Sequence, residues 1–248
     1  MIITVDIGNS NTVIVAYEGD AKIIHQRILT EKENPFEYYK QSFVSLNVKP
    51  EAVVVSCVVP VIQRAFCDAI QAVFGFEPCL VNADTINGFD ILLDNPRDIG
   101  ADFIATSMGA IGKYPLPAIV ADVGSATKLT YTDDHAAFRG GVIIPGLGTS
   151  MKAFRDYIPH LPEVELTIPK NVIGTGTIDA IQSGALYGLI AQIEGLAQRM
   201  EEEAGQPCVK ILTGGYASLI RDNMTGFVYD PDLLNDGLYE IYRKGMVS

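Results

Sequence analysis

The sequence contains few cysteines and histidines, and they are scattered. The cysteines are Cys57, Cys67, Cys79 and Cys208, and the histidines are His25, His135 and His160. No Cys-x-x-Cys pair occurs and no histidine lies near a cysteine in the sequence, although disulfide frameworks and zinc sites both depend on regularly spaced ligands. The spacing therefore favours four reduced thiols, which are typical of a cytoplasmic protein.

Basic residues and long apolar runs are also scarce. The chain has 18 basic against 30 acidic residues, a formal net charge of −12, which argues against non-specific nucleic-acid binding because that needs a basic surface. No apolar run approaches the ~20 residues of a membrane span, and the N-terminus enters a strand without the basic segment or cleavage site of a secretion signal. We predict a cytoplasmic protein that binds neither nucleic acid nor membranes.

Two segments of the chain resemble each other. Residues 2–15 are IITVDIGNSNTVIV and residues 119–132 are IVADVGSATKLTYT, so that Asp6 aligns with Asp122 and Gly8 with Gly124. Each segment is a β-branched run, an Asp, a small polar cluster and a second β-rich run, which predicts two strands joined by a tight turn. The repetition predicts two similar halves that face a shared cleft.

The turns between these strands suit phosphate binding. Their small residues leave backbone N–H groups open to phosphate, and carboxylates hold the cations that phosphate chemistry requires. We predict that Asp6 holds Mg²⁺, that the residues Gly8, Asn9, Ser10, Asn11 and Thr12 bind phosphate, and that Asp122 and the 125–127 turn face them. The alternative is an ordinary hairpin turn, since Asn and Gly are common in turns.

The remaining pattern predicts an α/β protein in which strands are followed by helices, twice over. Strands are expected at 2–17, 22–29 and 52–59 in the first half, and at 119–132, 139–146 and 209–215 in the second; helices are expected at 34–46, 60–73, 147–157, 178–204 and 231–243, with one more after Gly100. Pro115 and Pro117 mark the boundary. We therefore predict two domains, 1–115 and 116–248.

Asp102 is a candidate general base. It lies early in the helix that follows Gly100, on the side of Ala105 and Gly109, where no bulky side chain competes. A carboxylate there could accept the proton of a substrate hydroxyl as that hydroxyl attacks a γ-phosphoryl group. The alternative is a first-turn Asp that merely interacts with the helix dipole, and the spacing alone does not decide between the two.

Six segments together resemble the type III pantothenate kinases, a family of the acetate and sugar kinase/Hsp70/actin superfamily. They are 6–12 (DIGNSNT), 55–60 (VSCVVP), 95–102 (NPRDIGAD), 122–127 (DVGSAT), 140–146 (GGVIIPG) and 182–184 (QSG). The resemblance covers almost the whole chain. It implies two ribonuclease-H-like domains around a central cleft, a homodimer, and ATP-dependent phosphorylation of pantothenate in coenzyme A synthesis.

The resemblance also implies roles for particular residues. Asp102 is the general base, the ATP phosphates are held by Asp6, Ile7, Gly8, Asn9, Ser10, Asn11, Thr12 and Val13, and Ser125 also contacts ATP. Mg²⁺ and a monovalent cation, K⁺ or NH₄⁺, are the implied cofactors, with the monovalent cation at Asp122. Pantothenate contacts fall on the segment Gly100, Ala101, Asp102 and Phe103, and on Thr177.

The departures from the family pattern lie mostly on the acceptor side. Phe103 stands where the family usually has Arg, Leu93 where it has Tyr, Lys128 where it has Thr, and 174–177 reads GTGT in place of GKNT. The loss of a bidentate Arg that faces a substrate carboxylate would weaken binding about ten- to a hundredfold.

Three accounts of these departures compete. In the first, Lys128 supplies the missing charge and the chain phosphorylates pantothenate. In the second, Phe103 and Leu93 line an apolar wall for a different hydroxyl compound. In the third, the chain is a non-catalytic ATP-binding regulator. The three acids Asp6, Asp102 and Asp122 argue against the third account, because a protein that only binds ATP has no need of a base.

Overall fold

The computed structural model describes residues 1–247, which fall into two compact units. The first comprises Met1–Lys113 and the segment that begins at Asp232, and the second comprises Tyr114–Pro231. No helix within the described residues combines the length and apolar character needed to cross a membrane.

The first unit is built on a mixed five-stranded sheet. Its strands are β1 (Ile2–Ile7), β2 (Asn11–Glu18), β3 (Ala21–Leu29), β4 (Ala52–Cys57) and β5 (Cys79–Leu80), in the order β3-β2-β1-β4-β5. The β1–β2 and β2–β3 pairs are antiparallel, whereas β4 pairs in parallel with β1 and with β5. Its helices are α1 (Pro35–Leu46), α2 (Pro60–Phe74), α3 (Ala101–Lys113) and α6 (Leu233–Arg243).

The second unit repeats this sheet. Its strands are β6 (Ala118–Val123), β7 (Ala126–Thr132), β8 (Phe138–Pro145), β9 (Val209–Thr213) and β10 (Phe227–Tyr229), in the order β10-β9-β6-β7-β8. The first three strands are again antiparallel neighbours and the last two again pair in parallel. Its helices are α4 (Leu147–Tyr157) and α5 (Thr177–Ala204). The shared topology confirms the predicted α/β fold and explains the repeated segments.

Strand β4 lies inside the first sheet, between β1 and β5. In β4 the residues 52–56 are all buried, as a continuous apolar run predicts for a strand covered on both faces. The helix α2 follows it, from Pro60 to Phe74, and is capped by Gly75, whose φ of 82° is a left-handed conformation that glycine adopts without strain. These local signals explain why the sequence located the boundaries of α2 closely.

The last helix returns to the first unit. The predicted division into 1–115 and 116–248 put the helix at 231–243 in the second domain, whereas α6 packs against α3, β1 and β4. The apolar residues Leu233, Leu238 and Ile241 are fully buried there. Hydrophobic periodicity predicts that α6 has an apolar face, but it carries no information about which sheet that face covers.

Candidate functional site

Asp6 lies near the carboxyl end of β1, the central strand of the first sheet. Its backbone is paired with Val13 on β2 and with Ser56 on β4, and the residue is half-buried. Burial raises the pKa of the neighbouring Cys57 thiol, and the Asp6 carboxylate raises it further. A carboxylate is therefore held at the strand end that leads into the predicted phosphate loop.

The loop after β1 is a tight turn fixed by the end of β3. Gly8 N–H donates to the carbonyl of Asn11 (3.0 Å), while the Thr30 hydroxyl donates to Gly8 O (2.7 Å) and Thr30 N–H donates to Ser10 O (3.1 Å). Asn9 and Ser10 are exposed at its tip. No sequence pattern indicates this role for Thr30, which follows the last residue of β3 and has no recognisable motif around it.

Three of the residues predicted to hold phosphate have buried or half-buried side chains that do not belong to the exposed tip of the loop. The Ile7 side chain is fully buried in the core, and the Val13 side chain is half-buried. The Thr12 hydroxyl is also buried, within 2.9 Å of the Tyr39 hydroxyl and 3.1 Å of the Thr30 hydroxyl. The Thr12 side chain therefore anchors the loop to the unit, and the exposed polar side chains of this segment are those of Asn9 and Ser10.

Asp102 is the second residue of α3, and its carboxylate is held at the helix start. Asp102 Oδ1 accepts a hydrogen bond from Phe103 N–H (3.0 Å), and the side chain is half-buried. A Cβ on Gly100 would lie 2.5 Å from Asp102 Oδ1, so any other residue at 100 would displace the carboxylate. The arrangement places an acceptor where helix N–H groups favour negative charge.

The acceptor-side residues occupy three places. Leu93 and Phe103 are half-buried on either side of the short turn Pro96–Asp98, which the Asn95 side chain caps by accepting from Arg97 N–H at 3.3 Å. Thr177 is exposed at the first residue of α5, in the second unit.

Asp122 occupies in the second sheet the position that Asp6 holds in the first. Its backbone pairs with Lys128 on β7 and with Thr213 on β9. The Lys128 Nζ atom lies 2.7 Å from Asp122 Oδ2, and each side chain is only 14% exposed. This ion pair could be found from the sequence only once the β6–β7 register was known, because register decides which side chains share a face.

The turn after β6 is closely surrounded by glycines. Gly124 N–H donates to Ala126 O (3.1 Å), as Gly8 does in the first turn, and the Thr149 hydroxyl donates to Ser125 O (2.9 Å). A Cβ on Gly146 would collide with the carbonyls of Gly124 and Ser125, and one on Gly214, which has a φ of +99°, would collide with Asp122 Oδ1. Glycine is needed at both positions so that the backbone can approach the turn and the carboxylate.

The described residues differ in how well they fit the implied cations. Within residues 1–247 no group of three or more Asp, Glu, His or Cys side chains could hold a metal ion. Mg²⁺ commonly takes one or two carboxylates and completes its shell with phosphate oxygens and water, so the half-buried Asp6 fits Mg²⁺. Asp122 does not fit a bound monovalent cation at Oδ2, because the Lys128 ammonium already lies 2.7 Å from that oxygen.

Structural comparison supports the fold assignment. The crystal structure of MreB 5 of Spiroplasma citri bound to AMPPNP superimposes with a TM-score of 0.51 and 12% sequence identity, over 98% of this chain and 95% of that one. The chain therefore shares the actin-like ATPase fold that the resemblance implies.

Sequence comparison identifies the family. The profile of type III pantothenate kinase matches residues 2–199. A type III pantothenate kinase of Exiguobacterium sp. is 37% identical over 98% of this chain and 99% of its own length, and one of Halalkalibacterium halodurans is 34% identical over 99% and 100%. This chain therefore belongs to the type III pantothenate kinase family.

Proposed function

We propose that the chain transfers the γ-phosphoryl group of ATP to the hydroxyl group of pantothenate, which yields 4′-phosphopantothenate and ADP, in the first step of coenzyme A biosynthesis. The observation that carries the proposal is the family match over most of the chain. The acid and tight turn at the same topological place in each sheet support it, because phosphoryl transfer requires polar groups and a charged group that can hold a cation at the phosphates.

Asp102 is the proposed general base. Its carboxylate accepts the proton of the pantothenate hydroxyl while that oxygen forms a bond to the γ-phosphorus and the bond to the bridging oxygen of ADP breaks. The hydrogen bond from Phe103 N–H to Oδ1 and the close approach of Gly100 hold the carboxylate in place. A positioned base of this kind contributes roughly 10²–10⁴ in rate.

The phosphates of ATP are proposed to lie against the two turns. In residues 6–13 the exposed Asn9 and Ser10 side chains are the proposed contacts. Ser125 is the proposed contact in the corresponding turn of the second unit. Asp6 would hold Mg²⁺, which when bound neutralises charge on the phosphates. The fixed turns keep their donors oriented before the substrate arrives, so that little reorganisation is needed during transfer.

The acceptor is proposed to contact Leu93, Gly100, Ala101, Phe103 and Thr177, with Lys128 as a further candidate.

A second candidate function follows from Phe103 and Leu93, which are apolar where the family has Arg and Tyr. In that alternative the chain phosphorylates a less anionic hydroxyl compound. An Arg opposite a carboxylate forms a bidentate, charge-assisted pair, and neither Phe nor Leu can replace it.

Product analysis tests both candidates. The purified protein is incubated with ATP and MgCl₂ and either pantothenate or an N-alkyl pantothenamide, in which a neutral amide replaces the carboxylate. Phosphopantothenate of the expected mass, absent without acceptor, supports the proposed reaction. A strong preference for the pantothenamide would favour the alternative, and turnover of neither acceptor would contradict both.

We further propose that the protein is a cytoplasmic homodimer, as the family resemblance implies. The four cysteines are all free thiols in the structure, which is consistent with a reducing compartment. Light scattering after size exclusion would give twice the 26.8 kDa chain mass for a dimer, whereas the mass of one chain would contradict the dimer.

A further inference from the structure

We infer that the Lys128 ammonium takes the place of the monovalent cation at Asp122, so that the reaction of this chain requires neither K⁺ nor NH₄⁺. The inference rests on the proposed phosphoryl transfer. It starts from a disagreement between the implied K⁺ or NH₄⁺ site and the residues that surround Asp122.

The β6–β7 register brings the two residues together. Asp122 and Lys128 are directly opposite each other in an antiparallel pair, and such pairs project their side chains to the same face with Cβ atoms roughly 5 Å apart. Nζ lies 2.7 Å from Oδ2, a charge-assisted hydrogen-bond distance. The contact therefore follows from the sheet itself and not from a mobile surface side chain.

Burial makes each charged group of the pair depend on the other. Each side chain is 14% exposed, and a carboxylate this far from water needs a compensating positive charge. A potassium ion at Oδ2 would have to displace the ammonium and break this buried, charge-assisted contact.

The lysine ammonium and a free ammonium ion are alike in charge and size. The lysine head is an alkylammonium, with the single positive charge and nearly the size of NH₄⁺. Because it is tethered to β7, it carries no association cost, whereas a free ion loses translational freedom on binding. A tethered ammonium therefore supplies at Asp122 the charge that an exchangeable cation would otherwise supply.

This role competes with the idea that Lys128 binds the substrate carboxylate. An ammonium that is paired with Asp122 contributes no net charge to a second carboxylate. Loss of Lys128 is thus expected to create a cation requirement that K⁺ or NH₄⁺ satisfies. Under the substrate-binding account, it would raise the KM for pantothenate in every salt.

The experiment compares wild type with Lys128→Thr, which introduces the residue usual in the family. Initial rates of ADP and phosphopantothenate formation are measured in KCl, NH₄Cl and choline chloride at constant ionic strength. The wild-type rate is expected to be the same in all three. The variant is expected to lose about ten- to a hundredfold in choline chloride, the value of one hydrogen bond to a charged group, and to regain activity in KCl or NH₄Cl.

Thermal melting in the same salts gives a readout that does not depend on turnover. KCl is expected to raise the melting temperature of Lys128→Thr above its value in choline chloride, because a cation refills the site, and to leave wild type unchanged. Lys210→Met is the matched control, because it breaks the Lys210–Glu201 pair (3.1 Å) on the neighbouring β9. It should show no specific response to K⁺.

The outcomes separate this inference from the proposed function. A wild-type protein that needs K⁺ for turnover, or that K⁺ stabilises as much as it stabilises the variant, overturns the role of Lys128 while the kinase activity stands. A lack of phosphopantothenate in every salt overturns the proposed function, and the melting comparison then still decides whether Lys128 replaces the cation. If Lys128→Thr fails to fold, the wild-type response to K⁺ decides alone.

Discussion

The carboxylate of Asp102 is the side chain on which the proposed chemistry depends most. Asp102→Asn keeps the size of the side chain and can keep the hydrogen bond from Phe103 N–H to Oδ1, but an amide cannot accept the substrate proton. We expect kcat to fall by about 10²–10⁴. The Kd for ATP, measured by calorimetry, should stay nearly unchanged.

A variant that retains full turnover would remove Asp102 from the role of base. A parallel loss of ATP affinity would instead show that Asp102 contributes to nucleotide binding. Gly100→Ala offers an independent check, since its Cβ would press on Asp102 Oδ1. It should lower kcat while the carboxylate itself is still present.

Phe103 tests how the acceptor site treats a substrate carboxylate. Phe103→Arg restores the residue usual in the family, next to Asp102 on α3. If pantothenate is the acceptor and its carboxylate lacks an ionic partner, the KM for pantothenate should fall by about ten- to a hundredfold, because one hydrogen bond between charged groups is gained. The KM for a neutral pantothenamide should not fall, and an equal change for both acceptors would contradict this explanation.

Individual residues were predictable to different degrees. The positions of the acids and glycines at the two turns could be predicted because the motif occurs twice, and the position of Asp102 at a helix start because it follows Gly100, while their roles stay predictions. The Lys128–Asp122 ion pair could not, because it depends on a cross-strand register that no local pattern fixes. The inward direction of the Thr12 hydroxyl was equally hidden, since it depends on Tyr39, which lies on a distant helix.

Helices α3 and α6 are packed so closely that only glycine fits at their contact. A Cβ on Gly237 would overlap the carbonyl of Ala105 and lie 2.7 Å from Gly109 N, and a Cβ on Gly109 would overlap the carbonyl of Leu233. The small residues of α3, among them Ala105 and Gly109, leave room for such a close contact. They did not identify α6 as the partner.

Gly237→Ala is therefore expected to destabilise the protein. Overpacking against a helix backbone costs about 1–3 kcal/mol or more, which outweighs the gain from replacing a helical glycine. Gly188→Ala on α5 is the matched control, because a Cβ there meets no atom within 4 Å, and it should stabilise by about 0.5–1 kcal/mol. Urea unfolding measures both, and a stabilising Gly237→Ala would contradict the close packing.

The two units are built on sheets of the same topology. This repetition is why the α/β class and most elements could be predicted. Each sheet begins with three antiparallel strands that are neighbours in sequence, and their turns carry local signals. The return of α6 to the first unit is a connection over more than a hundred residues. It depends on which apolar surface the other elements leave uncovered, and no local sequence pattern encodes that surface.

Polar contacts hold this returning helix as well as apolar ones. Asp236 of α6 lies 2.8 Å from Lys22 of β3, 2.8 Å from Lys113 of α3 and 2.8 Å from the Tyr17 hydroxyl of β2, while the neighbouring Asp232 pairs with Lys22 and His25. Burial by itself would raise the pKa of Asp236, but the hydrogen bonds from these partners outweigh it, and the pKa lies below its ordinary value.

Global stability should therefore depend on pH through Asp236. Because its pKa is lower in the folded than in the unfolded chain, its contribution is fully present above the unfolded value of about 4 and is lost as the pH falls through the folded value. Asp236→Asn should lower the free energy of unfolding by about 2–3 kcal/mol at pH 7. The difference between wild type and variant, measured by urea unfolding, should shrink below pH 4, because protonation then removes the same charge from wild type. A difference that stays constant from pH 7 to pH 3 would show that Asp236 stabilises the returning helix by its shape and neutral hydrogen bonds, and not by its charge.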